Sequence, residues 1–173
     1  TKLDVDFHGK ASHAAAAPEQ GNNALLAAAT AVLNLQAIPR HGKADTRINV
    51  GKLVAGSGRN IICDVAHMEL EVRGKTSEAN QYMQTYAERI VKCAAEMHGC
   101  TVETHLMGTA LSSSNSSELN ERLEQVCAEQ LKIPVWRDPE AFSNVSEDFS
   151  CMSEAVRSHG GQACYFLNVS RCS

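Results

Sequence analysis

Aromatic residues make up only 5% of this chain of 173 residues, and there is a single tryptophan. The strand-like segments therefore lack the interleaved rings on which bases stack, which argues against RNA recognition. Positive charge is also scarce: the formal net charge is −4, and no cluster of Lys and Arg is present to neutralise a phosphate backbone. Nucleic acid is excluded as a partner on that ground. No apolar run approaches the roughly 18 residues that a membrane span needs, because the longest, Ala24 to Val32, is mostly alanine and is broken by Thr30. No signal peptide is visible in the sequence, and it opens without an initiator Met. The chain starts with Thr1-Lys2 and runs directly into a strand, which points to an excised or processed piece. The seven cysteines form neither a C-x-x-C pair nor a secreted-type ladder. They read as reduced, largely buried thiols of a cytoplasmic protein.

What is present is the composition of a soluble globular protein, with 43% apolar residues and a mean hydropathy of −0.24. Leu3, Val5 and Phe7 alternate with polar residues, the period of a half-buried strand. A dense Ala/Leu segment from Gly21 to Ile38 predicts a helix stopped by Pro39. Ile48, Val50 and Val54 alternate with Arg47, Asn49 and Leu53, and Ala66, Met68, Leu70 and Val72 with His67, Glu69, Glu71 and Arg73. These segments predict two strands joined through Gly56-Ser57-Gly58. Thr76 or Ser77 can cap the next helix, whose buried stripe runs from Ala79 to Met97 and ends at Gly99. Val102 and Leu106 mark a fourth strand.

The order βαββαβ predicts an α+β, ferredoxin-like domain over residues 1–108, with a four-stranded antiparallel sheet and two helices on one face. The serine-rich stretch Leu111 to Ser117 reads as a boundary. Residues 109–173 then carry a helix opened by Asn115 and Glu118, a second helix opened by Ser146-Glu147-Asp148 and ending at Gly160-Gly161, and an apolar strand from Gln162 to Val169. That is too few elements for a complete core, so the tail reads as part of a larger α/β domain. No internal repeat is apparent.

Three residues stand out, each with a plainer role beside the chemical one. His13 sits in a tract of alanines and can be a simple surface histidine, yet its small neighbours leave room for its imidazole to donate to a developing oxyanion. Asn60 follows a Gly-Ser-Gly-Arg loop, where asparagine serves turns. Arg73 closes a strand rich in glutamate and can form an exposed ion pair of little energetic weight. Its guanidinium fork also suits a carboxylate, to which an Asn amide can add a third hydrogen bond.

The stretch Phe7 to Ala24 with His13, the segment Gly58 to Asp64 with Asn60, and the segment Glu69 to Gly74 with Arg73 together resemble the lid, or dimerisation, domain of the aminoacylase and carboxypeptidase family of zinc metallopeptidases. Ser146 to Phe149 and Gly160 to Ala163 are similar to the aminobenzoyl-glutamate utilisation branch of that family. The resemblance implies a homodimer built on the lid and a small-molecule N-acyl- or aminobenzoyl-amino acid as substrate. It also implies that His13 reaches into the partner's catalytic cleft, with Asn60 and Arg73 holding the substrate carboxylate. Two zinc or other divalent ions belong to this chemistry, held in the family by a His-x-Asp pair, a bridging Asp, a Glu-Glu pair and further ligands. This chain contains neither His-x-Asp nor Glu-Glu. It is therefore expected to hold no metal and to be inactive alone, its role being dimerisation and substrate binding for a longer amidohydrolase. The alternative is a stand-alone ferredoxin-like dimerisation or small-ligand-binding module without catalysis.

Overall fold

A computed structural model describes residues 1–111, 115–137 and 149–166. The chain forms two compact units, Thr1–Thr109 and Ala110–Ser173. Among the described residues no helix is long and apolar enough to cross a membrane.

The first unit is the four-stranded antiparallel sheet with two helices. Strand β1 (Lys2–His8) lies between β3 (Val65–Gly74) and β4 (Thr101–Gly108), and β2 (Thr46–Ala55) forms the other edge beside β3. The period-two pattern of β1 puts Leu3, Val5 and Phe7 on one face, where Phe7 and Val5 are fully buried. Their cross-strand partners Leu70, Met68 and Ala66 extend the same apolar layer onto β3. Helix α1 (Ala24–Gln36) covers this layer with Ala24, Ala27, Ala28, Ala31 and Leu35, and helix α2 (Ser77–Met97) with Ala79, Met83, Ala87, Val91, Ala94 and Ala95. The many alanines let both helices approach the sheet closely, so packing rather than side-chain bulk excludes water.

Local signals explain where the helices start and stop. Asn23 caps α1 by accepting from the Leu26 N–H at 3.2 Å, so the helix begins at Ala24 with the apolar run rather than at the expected Gly21. Thr76 caps α2 by accepting from the Ala79 N–H at 3.1 Å. Gly99 follows the C-cap with φ of +68°, a left-handed conformation that suits glycine. Met97, expected on the buried stripe of α2, is 71% exposed, although Ala94 and Ala95 in the same turn are buried in the core.

The structure corrects the alternation expected in β2. The register shifts between Val50 and Lys52, so Gly51 is an extra residue and the pattern inverts beyond it. Ile48 and Val50 lie opposite Val72 and Leu70 as expected, but beyond the bulge it is Leu53, not Val54, that lies opposite buried Met68.

The second unit contains α3 (Ser117–Gln125), continued by a π-helical turn over Val126–Leu131, and α4 (Phe149–Ser158). The expected cap at Asn115 is not formed; Ser116 occupies the N-cap position. The Asn115 amide instead bonds Tyr165 twice, donating to its carbonyl at 2.7 Å and accepting from its N–H at 2.8 Å. Gln162–Phe166 form no strand, since these contacts tie the segment to α3 rather than to a sheet. Ser146, Glu147 and Asp148, and the end of the expected strand at Val169, lie outside the described residues. The six described cysteines are free, with Cys63 and Cys100 buried.

Candidate functional site

After β1 the chain makes a short irregular ladder with the loop that leads into β3. Ile62 N–H donates to the Ser12 carbonyl at 2.9 Å, and Ala14 N–H donates to the Asn60 carbonyl at 3.0 Å. His13 thereby forms a bridge with Ile61. Gly9 is required below this point, because a Cβ there would lie 2.0 Å from the Asn22 carbonyl oxygen. The result is that His13 and Asn60, far apart in sequence, adjoin at the edge of one loop pair.

The imidazole of His13 is exposed and holds its own turn. Its Nδ1 accepts from the N–H groups of Ala15 at 3.2 Å and Ala16 at 3.1 Å, while Ala17 N–H donates to the His13 carbonyl at 3.0 Å. A ring nitrogen that accepts two backbone N–H bonds carries no proton, so in the neutral ring the proton is on Nε2. His13 is thus organised as an Nε2–H donor, the form that can hydrogen-bond an oxygen gaining negative charge.

Arg73 is elsewhere. It lies at the far end of β3, and at about 3.3 Å per residue the strand puts about 25 Å between it and the His13–Asn60 loops. Its Nε donates to Glu71 at 2.7 Å, an ion pair of two exposed or half-exposed groups. Within one chain, therefore, Asn60 and Arg73 do not come together as one carboxylate clamp. The residue directly across from Arg73 is Arg47 on β2. Sequence reading missed that pairing, which is visible only in the register that the Gly51 bulge sets.

The helix-free face of the sheet is a charged surface between these two ends. Asp6 on β1 accepts from His67 Nδ1 at 2.8 Å and lies 3.5 Å from His105 Nε2. Glu69 pairs with Lys52 at 2.7 Å. The hydrogen bond that His67 donates to Asp6 holds its imidazole above the usual histidine range, with burial opposing it. The hydrogen bond from Lys52 holds the Glu69 carboxyl below the usual carboxylate range. Among the described residues no group of three or more His, Cys, Asp or Glu could hold a metal ion, so the side chains at hand do not fit the zinc of the resembling family. A groove of about 550 Å³ between α2 and β4, lined by Leu3, Ala95, Val102 and Leu106 among others, contains none of His13, Asn60 and Arg73.

Comparison with known proteins places these observations. A family description, peptidase dimerisation domain, matches residues 1–98. A p-aminobenzoyl-glutamate hydrolase subunit homolog of Haemophilus influenzae is 44% identical over 96% of this chain and 39% of its own length. The indole-3-acetyl-aspartic acid hydrolase of Enterobacter agglomerans is 40% identical over 96% of this chain and 38% of its own. The crystal structure of an aminobenzoyl-glutamate utilization protein from Klebsiella pneumoniae superposes with a TM-score of 0.86 at 39% identity, over 95% of this chain and 42% of that one. The chain thus spans about two fifths of the length of these relatives. With the sheet, its two helices and the matched residues all in agreement, the chain belongs to the peptidase dimerisation-domain family.

Proposed function

We propose that this chain is the dimerisation and substrate-capturing part of a longer metal-dependent amidohydrolase that cleaves the amide of an N-acyl- or aminobenzoyl-amino acid such as aminobenzoyl-glutamate. The observation that carries the reading is the pair of backbone N–H groups accepted by His13 Nδ1, which leaves an exposed Nε2–H able to donate to the carbonyl oxygen of a scissile amide. Zinc or another divalent ion, held by residues of the longer protein outside this chain, would supply the attacking hydroxide. The residues here bind and polarise the substrate.

The separation of His13 and Asn60 from Arg73 favours a site shared between two copies. The polypeptide enters β1 and leaves β4 at the Arg73 end of the sheet, where Lys2 lies opposite both Glu71 and Gly108. Whatever is joined there is tethered near Arg73 and about 25 Å from the same chain's His13. A two-fold axis beside an edge strand pairs the strand with its antiparallel copy and brings the His13 end of one copy towards the Arg73 end of the other.

The two edges are not equivalent. Beside β2, α1 turns an apolar stripe outward, with Leu25, Leu26 and Leu33 being 41%, 48% and 74% exposed. On α2 the exposed positions include Glu78, Glu88, Arg89, Lys92 and Glu96. An apolar outer face next to an unpaired strand is what a homodimer contact needs; the α2 and β4 edge also exposes Met97, Leu106 and Met107, but there they lie among charged positions of α2, whereas α1 carries no charge, so the contact is assigned to the α1 and β2 edge.

The test is complementation in the full-length protein. His13→Ala enzyme is mixed with a variant lacking the catalytic-domain general base, each inactive alone, and the subunits are allowed to exchange. Activity should return, because one cleft of the heterodimer regains both groups. Demonstrated exchange without activity would defeat the shared-site reading.

A further inference from the structure

The structure sets Arg47 on β2 directly opposite Arg73 on β3. Facing residues in an antiparallel pair point to the same side of the sheet, with Cα atoms about 4.5–5.5 Å apart. Two like charges so placed repel each other, and such pairs are destabilising unless something of opposite sign lies between them. Glu71 serves Arg73 through its Nε. The side chain of Arg47 makes no hydrogen bond or ion pair among the described residues and is exposed. Around them Lys2, opposite Glu71, and Lys75, just past β3, add further positive charge at this end of the sheet. At this strand end the Arg73 fork has Glu71 beside it, and the Arg47 fork has no carboxylate partner among the described residues.

The acyl-glutamate substrate proposed above has the complementary chemistry. It carries two carboxylates a few bonds apart, one on the α-carbon and one on the side chain, a spacing that neighbouring strands can match. We propose that Arg47 receives the side-chain carboxylate of an acidic acyl-amino acid while Arg73 receives the α-carboxylate, making Arg47 the residue that selects glutamate or aspartate over neutral amino acids. This rests on the reading of Arg73 as a carboxylate-binding residue. Bidentate Arg–carboxylate pairing supplies both the affinity and the geometric selectivity, and an amide in place of the second carboxylate would forfeit the charge.

The experiment compares acid and isosteric amide in the full-length protein. kcat/KM is measured for aminobenzoyl-glutamate against aminobenzoyl-glutamine, and for indoleacetyl-aspartate against indoleacetyl-asparagine, in wild type, Arg47→Gln, Arg47→Lys and Arg73→Gln. Wild type should favour the acid of at least one pair by about 10-fold or more, the scale of one charge-assisted contact. Arg47→Gln should lower kcat/KM for that acid by a similar factor and leave its amide within about twofold, so that the preference collapses. Arg47→Lys should retain part of it, because the charge remains and the fork is lost. The pair that shows the effect tells glutamate from aspartate. Equal loss for acid and amide in Arg47→Gln, no loss for either, or a wild type that takes the amide as well as the acid or takes none of the four compounds would overturn the assignment. Arg73→Gln should instead lower acid and amide together. If it lowers neither while Arg47→Gln still removes the preference, the Arg73 reading fails and the Arg47 assignment survives.

Discussion

At the scale of single residues, His13 divides the work of its ring. One nitrogen is used to hold the Ala14–Ala17 turn, and that use leaves the proton on the other. Replacing it with alanine in the full-length protein should lower kcat by about 100-fold or more, as losing one oxyanion donor does, with the sheet and its core retained because the two ring hydrogen bonds lost belong to an exposed turn. Arg73→Ala should act mainly through KM, since a carboxylate clamp binds ground and transition states alike; steady-state kinetics on the two variants separates the roles. His67 supports a different measurement. Its folded-state pKa is raised, chiefly by the hydrogen bond with Asp6, so its contribution to stability is fully present below the unfolded value of about 6.5 and is lost as pH rises through the folded value. Melting temperatures taken from pH 5.5 to 8.5 should show wild type losing its advantage over Asp6→Asn as pH increases. A constant difference would mean that the pair is not coupled to folding. His13, Asn60 and Arg73 were legible as polar residues at strand ends, but their grouping was not. The short ladder between residues 12–14 and 60–62 lies outside regular strands, and no periodicity announces it.

At the scale of elements, patterning and capping carry most of the information. The alternation in β1 places Phe7 in the middle of the core with no exposed surface, so Phe7→Ala should destabilise the sheet unit by about 3–5 kcal/mol in denaturant unfolding. Thr76→Ala, which removes one cap at the surface, should cost about 1 kcal/mol by the same measurement. These features were readable because each depends on neighbours in sequence. The bulge at Gly51 was not, since whether an extra residue is absorbed depends on the partner strand, and a glycine in a strand signals it only weakly. Asn115 failed as a cap for a related reason. A side chain that suits a helix start also suits an extended segment, and here the Tyr165 backbone took it. Met97 shows the limit of helical periodicity, since a single turn of α2 buries Ala94 and Ala95 and leaves Met97 exposed.

At the scale of the whole molecule, the outward face of α1 decides more than its inward one. A helix apolar all round is normally covered on both sides, and only one side of α1 meets the sheet. Leu33→Glu should therefore leave the melting temperature of the monomer nearly unchanged while weakening self-association in the full-length protein, whereas Arg89→Glu on α2 should not weaken it. Sedimentation velocity at several concentrations would decide between the edges, and the reverse pattern would assign the contact to α2 and β4. The composition of the chain foretold none of this asymmetry. It emerges only when the topology puts one helix beside β2 and the other beside β4.

The hydroxyl oxygens of Thr1 and Thr109 lie 3.2 Å apart. For any polypeptide continuing on both sides, the whole sheet unit thus behaves as a turn: a long insertion whose ends meet at nearly a single point. Closing a loop costs entropy that grows only slowly with its length, and here the insertion's own core supplies the closure. A host domain interrupted at this point could assemble as though its two sequence segments were neighbours. The insertion itself could be cut out, permuted or exchanged between relatives without re-registering what surrounds it.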